Sequence, residues 1–164
     1  MRFLFGKVES INRSNGGVPK KPVSEVLITK LGLEGDHQQD RRYHGGPDRA
    51  VLLYSLERIN ALQQEGHPIS IGSAGENLTT SGLDWNSIVP GIRLQVGPVL
   101  LLVTRYTTPC YKISGSFLNG EFSRISQKLY PGWSRVCARV LVGGTVRIGD
   151  AIEVLDSCAV KKAD

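Results

Sequence analysis

Apolar and polar positions alternate with a period near two over much of this chain, the spacing of strands with one face buried. Residues 2–11 (RFLFGKVESI) and 24–31 (SEVLITKL) are rich in β-branched and aromatic residues, and Asn15-Gly16-Gly17 and Pro19 interrupt them, so two strands joined by a loop are expected. Residues 50–54 (AVLLY) read as a buried strand. Short alternating runs at 93–96, 99–104, 136–142, 146–148 and 152–155 follow, with Gly97-Pro98, Gly143-Gly144 and Gly149-Asp150 as the turns between them. The period changes once with clarity. Ser55 is a good N-cap for a helix from 56 to about 65, whose Leu56, Ile59 and Leu62 share a face and which Gly66 ends. Phe117, Phe122, Ile125 and Leu129 show a looser helical spacing, and a second short helix is expected within 114–132. Many strands with tight links and few helices predict a mainly β fold, a closed or nearly closed β-barrel, because closure removes exposed sheet edges. The polar, aperiodic stretch 32–48 (GLEGDHQQDRRYHGGPD) is a long loop of the kind that often carries function.

Composition narrows the class. The chain has 164 residues, 40% hydrophobic and 21% charged, which suits one ordinary folded domain, assigned to 1–156 with a polar tail at 157–164. Its 19 glycines agree with many turns between short strands. Twenty basic against 15 acidic residues give a net charge of +5, which suits an anionic partner. The basic residues are scattered, so a phosphate-bearing small molecule is favoured over a nucleic-acid track, and aromatics are not interleaved with cations on any strand as a base-stacking platform requires. Nucleic acid is therefore not an expected partner. The N-terminal residues are broken by Arg2, Lys7 and Glu9, unlike a secretory signal, and no run approaches a membrane span, so a cytoplasmic protein is expected. The three cysteines, Cys110, Cys137 and Cys158, form no CxxC pair, which argues against a disulfide framework or a zinc ribbon.

Cys110 stands out by its neighbours. It follows the 99–104 strand in Thr108-Pro109-Cys110-Tyr111-Lys112, with Arg105 and Lys112 close in sequence, where positive charge would favour the thiolate that acts as nucleophile or metal ligand. The competing reading is a buried, inert cysteine. Cys137, inside a strand, and Cys158, in the tail, read as bystanders. In Tyr43-His44-Gly45-Gly46-Pro47-Asp48-Arg49 the glycines allow backbone to approach a ligand and Arg49 can bind phosphate bidentately, but a solvated turn explains the same text. Gly75-Glu76-Asn77-Leu78-Thr79-Thr80 offers polar groups that suit either the edge of a heterocycle or the backbone of a turn. Arg135, after Gly132-Trp133-Ser134, is a further anion candidate. His37 and His67 have no partner at metal-ligand spacing.

Taken in order, Gly32-Leu33-Glu34-Gly35-Asp36, His44-Gly45-Gly46-Pro47-Asp48-Arg49-Ala50-Val51, Gly75-Glu76-Asn77-Leu78-Thr79-Thr80, Pro109-Cys110-Tyr111-Lys112, and Gly132-Trp133 through Gly143-Gly144 to Gly149-Asp150 resemble the MOSC superfamily. This domain also occurs at the C-terminus of molybdenum cofactor sulfurases. The similarity runs over about residues 20–155 and is nearest to the small bacterial branch that reduces N-hydroxylated bases. It implies a β-barrel and, in the oxidoreductases of the group, a molybdenum cofactor (molybdopterin) whose metal is held by the cysteine at the position of Cys110. On that resemblance some of Arg49, Arg105, Lys112 and Arg135 would hold the pterin phosphate, and His44 and Asn77 would line the pocket. An aromatic often precedes Gly-Glu-Asn-Leu in the family, whereas Ala74 stands there in this chain, which implies a different pocket wall. No clustered cysteines for an iron–sulfur centre are present, so a separate electron-donor protein is expected beside the small-molecule substrate. The alternative is a carrier in which a Cys110 persulfide holds sulfur, or the chain passes the cofactor on, without turnover of its own.

Overall fold

The computed structural model describes residues 4–36 and 46–155. Its largest element is an eight-stranded sheet containing β1 (Phe5–Arg13), β2 (Lys21–Val23), β5 (Val51–Ser55), β6 (Leu78–Ser81), β7 (Arg93–Val96), β8 (Val99–Tyr106), β9 (Val136–Val142) and β11 (Ala151–Val154). Seven of these form a ring in the order β1-β6-β5-β9-β8-β7-β11, which the antiparallel β11–β1 pairing closes. A barrel results. β11 covers one edge of β1 at residues 5–7, and β2 continues that edge at residues 11–13. β3 (Glu25–Thr29), β4 (Gly32–Leu33) and β10 (Gly144–Arg147) form a separate three-stranded sheet.

Alternation produces the core. In β8, Val99, Leu101 and Val103 are buried while the residues between them are only half-buried, and Val8, Ile11, Leu53, Leu78, Leu94 and Ile152 from other strands join the same cluster. Helix α1 (Leu56–Gln64) forms where its sequence predicts: Ser55 Oγ accepts the Arg58 N–H at 3.2 Å, and Ile59 and Leu62 face the barrel. Gly66, at φ 101°, takes the chain out of the helix.

Three expectations change. The segment 114–132 holds no α-helix but successive 3-10 turns at Tyr111–Ser116, Leu118–Gly120 and Phe122–Ile125. The left-handed Asn119 (φ 54°) and Gly120 (φ 69°) break any continuous helix there, although Phe117 and Ile125 are buried as their spacing suggests. β6 lies in the polar cluster after Gly75, where no strand is expected, and it pairs in parallel with β5. Finally, Gly143-Gly144 and Gly149-Asp150 do not close hairpins within one sheet, because β10 leaves the barrel to pair with β3. A Cβ at Gly143 would lie 2.6 Å from the Ile28 carbonyl oxygen, so the crossing needs glycine. The tail 157–164, His44 and Cys158 lie outside the described residues.

Three loops meet at one side of the barrel. β1 and β8 run in opposite directions around the ring, so the loops themselves make the contact: the Lys20 N–H donates to the Gly72 carbonyl at 2.9 Å and Ser116 Oγ to Ser73 Oγ at 2.9 Å, which sets residues 14–20, 72–77 and 107–116 side by side.

Candidate active site

The three loops enclose a cavity of about 390 Å³, within the range of small-molecule sites. Gly16, Gly17 and Val18 form one wall, Leu52, Ala74, Gly75 and Asn77 the next, and Thr108 to Ile113 the mouth, with Arg135 also on the lining. Cys110 is half-buried, sits in extended backbone before the Tyr111–Ser116 turn, and lines this cavity. The thiol is not sealed in the apolar core. Lys112 and Tyr111 beside it are exposed.

Arg135 is the cavity's buried cation. Only 5% exposed, it donates from Nη1 to the Ala74 carbonyl at 2.7 Å, while its Nε has no partner. Burial lowers its pKa first of all, and the side chains of Tyr54, Cys137, Glu76 and Cys110 oppose that shift. A guanidinium stays protonated in such a setting, so the orphaned Nε–H is a donor in need of an acceptor.

Lys20 supplies a second buried cation. Its Nζ lies 2.6 Å from Asp36 Oδ2, with the two side chains 9% and 3% exposed. Asp36 also accepts from the Ser14 backbone N–H at 2.9 Å and from Asn77 Nδ2 at 2.9 Å. An ammonium has three donors, and one of them is spent on Asp36. Asn77 lines the cavity, yet its amide is committed, accepting from the Leu52 N–H and donating to the Asn12 carbonyl and to Asp36. Its part is to clasp β1, β5 and the Asp36 turn together.

Glu76 is completely buried below the same wall. Its Oε2 accepts from the Gly72 N–H and from Thr79 Oγ1, each at 3.0 Å, and Oε1 has no partner. Burial pushes its carboxyl pKa up, against the opposing pull of these hydrogen bonds and of Arg135.

Of the residues marked in the sequence, Cys110, Asn77, Lys112 and Arg135 meet at this cavity. Arg49 and Arg105 do not line it. A bulge between Val103 and Arg105 leaves Arg105 exposed on β8, and both arginines act instead on buried Cys137, lowering the pKa that burial raises. Lys20 went unmarked because a single lysine after Val18-Pro19 has no local signature, and the Glu76 carboxylate was legible only as one of several polar groups in a turn. Among the described residues no group of three His, Cys, Asp or Glu side chains is placed to hold a metal ion. A metal at Cys110 would thus draw its other ligands from a cofactor of its own.

The chain matches the MOSC domain family over residues 40–153, most of its length. It belongs to that family. Protein YiiM of Escherichia coli (strain K12) is 33% identical to it over 107 residues, covering 63% of this chain and 48% of that protein. A protein named reductase from Gibberella moniliformis is 29% identical over 137 residues, 80% of this chain and 24% of its own. This MOSC chain therefore spans about half the length of the first relative and about a quarter of the second. The crystal structure of YiiM from Geobacillus stearothermophilus superposes with a TM-score of 0.74 at 25% identity, covering 92% of this chain and 75% of that one. The β-barrel expected from alternation is the family's fold. Among the described residues no helix is long and apolar enough to cross a membrane.

Proposed function

We propose that this MOSC domain binds a molybdenum cofactor in the cavity, with the Cys110 thiolate as the protein's ligand to the metal, and reduces N-hydroxylated compounds with electrons from a separate protein. The observation that carries the reading is the buried, unpartnered Nε of Arg135 in the same cavity as a half-buried thiol. A phosphate-bearing pterin fits that donor set: Arg135 and Lys20 offer charged donors within the cavity, Lys112 adds charge at the mouth, and Val18, Leu52, Ala74 and Ile113 give apolar wall for a ring. When bound, the molybdenum would supply removal of an oxygen atom from the substrate by two-electron chemistry. The chain's own residues hold and orient. Soft sulfur at Cys110 suits such a metal, the cations fix the anionic end, and the apolar wall limits water around the reacting centre. The reductase name of one relative supports the same class of chemistry.

Partial exposure of Cys110 also serves the carrier reading, in which the thiol carries a persulfide to a partner. Metal and pterin content of protein purified from a cofactor-producing host separates the two. The wild type should contain both, and Cys110→Ser should lose metal and reductase activity while keeping its melting temperature within a degree or so, since half-exposed thiol-to-hydroxyl changes cost about 0.5 kcal/mol or less. A serine variant that retains metal and turnover removes Cys110 from the role. A thiol-releasable gain of one sulfur on the intact wild-type mass, without molybdenum, makes the domain a carrier.

A further inference from the structure

Below the cavity the 70–77 turn connects to each part of its lining. Lys20 donates its backbone N–H to the Gly72 carbonyl at 2.9 Å, Arg135 Nη1 reaches the Ala74 carbonyl at 2.7 Å, and Ser116, at the end of the turn that begins after Cys110, donates to Ser73 Oγ at 2.9 Å. The turn closes through the Gly75 N–H to the Gly72 carbonyl at 3.1 Å, at a Gly72 with φ +82°. One buried side chain holds its two ends. Glu76 Oε2 takes the Gly72 N–H and Thr79 Oγ1, while Asn12 Nδ2 donates to the Glu76 carbonyl at 3.2 Å.

We infer that Glu76 is a positioning residue for the anion site: by clasping Gly72 it sets where the Ala74 carbonyl stands, and so aims the Arg135 guanidinium at the space beside Cys110. Glu76 is absent from the cavity lining, so it does not touch a bound anion, and any contribution in favour of one comes through this turn. The inference rests on reading the cavity as an anion site and not on which anion fills it. Its sign is unusual. Glu76 is itself a carboxylate near the cavity, so its direct field opposes anions, whereas its positioning action favours them.

The test compares iodoacetate, an anion, with iodoacetamide, its neutral analogue, as alkylating agents of Cys110 in the full chain, with the modified site read by peptide mapping. The ratio of the two rates cancels the thiolate fraction and reports the fixed charge beside the sulfur. E76D keeps the charge but shortens the reach, and should lower the ratio about threefold, toward the roughly fivefold fall expected when Arg135→Met removes one nearby cation. E76Q keeps an oxygen for the Gly72 N–H and removes the opposing charge, so its ratio should equal or exceed that of the wild type. In an Arg135→Met background E76D should change the ratio less than about twofold, as two steps of one route do. An unchanged ratio in folded E76D, a fall in E76Q matching that of E76D, or a full further fall in the Arg135→Met background each overturns the inference. Because neither reagent needs a cofactor, failure here leaves the molybdenum reading standing, and the absence of bound molybdenum leaves this inference standing.

Discussion

Cys110 and Cys137 both lie within electrostatic reach of the same buried arginine, Arg135, yet the structure treats them in opposite ways. Cys137 is 5% exposed within β9, its sulfur 3.1 Å from Thr107 Oγ1, and burial raises its pKa despite the nearby charges of Arg135, Arg49 and Arg105. Cys110 is half-buried and opens onto the cavity. Cations beside a cysteine thus do not by themselves make a site, because open space decides whether a ligand can use them. Arg135 matters for that reason: it lines the cavity and carries a buried Nε without a partner.

The largest effect expected from this contrast is in alkylation. With native protein and iodoacetamide, Cys110 should react at least about a hundredfold faster than Cys137, since a thiol inside a barrel strand reacts only when the strand opens. Peptide mapping across a time course measures both. Similar rates would erase the distinction between the two thiols, and with it the claim that the cavity singles out Cys110.

The arginines sharpen it next. Inorganic phosphate should slow iodoacetamide at Cys110 by occupying the cavity, and Arg135→Met should weaken that protection about tenfold, the worth of a charge-assisted hydrogen bond in a buried setting. Arg105→Met should change it less than about twofold, because Arg105 is exposed on the Cys137 side. If the Arg105 variant loses protection and the Arg135 variant keeps it, the anion site lies elsewhere.

The sequence expressed the barrel wall far better than the cavity, and for a physical reason. β7 matches its expected bounds because one face is buried and one is not, which writes alternation into the text, and β9 matches its bounds too, although Val136, Cys137 and Ala138 are buried in succession. β6 was hidden: Leu78-Thr79-Thr80 is buried without interruption, its hydroxyls satisfied inside, so its polar letters read as a turn. The 111–125 segment has the buried residues of a helix, but Asn119 and Gly120 break the backbone at left-handed positions. For the site, Arg105 stands near Cys110 in sequence and is sent away by a bulge, while Lys20 and Glu76 stand far from it and are returned by β1 and β6. Proximity along the chain points to Cys110 and Lys112, and leaves Lys20 unmarked.

The smallest effect concerns the polar floor of the cavity in contrast to the apolar barrel. Glu76 has its carboxyl pKa raised in the folded state, mainly by burial, from an ordinary value of 4.5. A folded state that binds the proton more tightly than the unfolded chain is favoured at low pH. The contribution from Glu76 is therefore fully present below about 4.5, and is lost as pH rises through the higher folded-state value. Other carboxylates titrate over the same range, so the informative quantity is the difference between wild type and E76Q, which has no proton to lose. Urea midpoints measured from pH 4 to pH 8 should show the wild type losing stability relative to E76Q as pH rises. A difference that stays flat across that range would mean the Gly72 and Thr79 hydrogen bonds, with Arg135, stabilise the Glu76 carboxylate enough to offset its burial, so that it binds its proton no more tightly than in the unfolded chain. A floor of that kind would titrate like a solvated turn, although its carboxylate is buried.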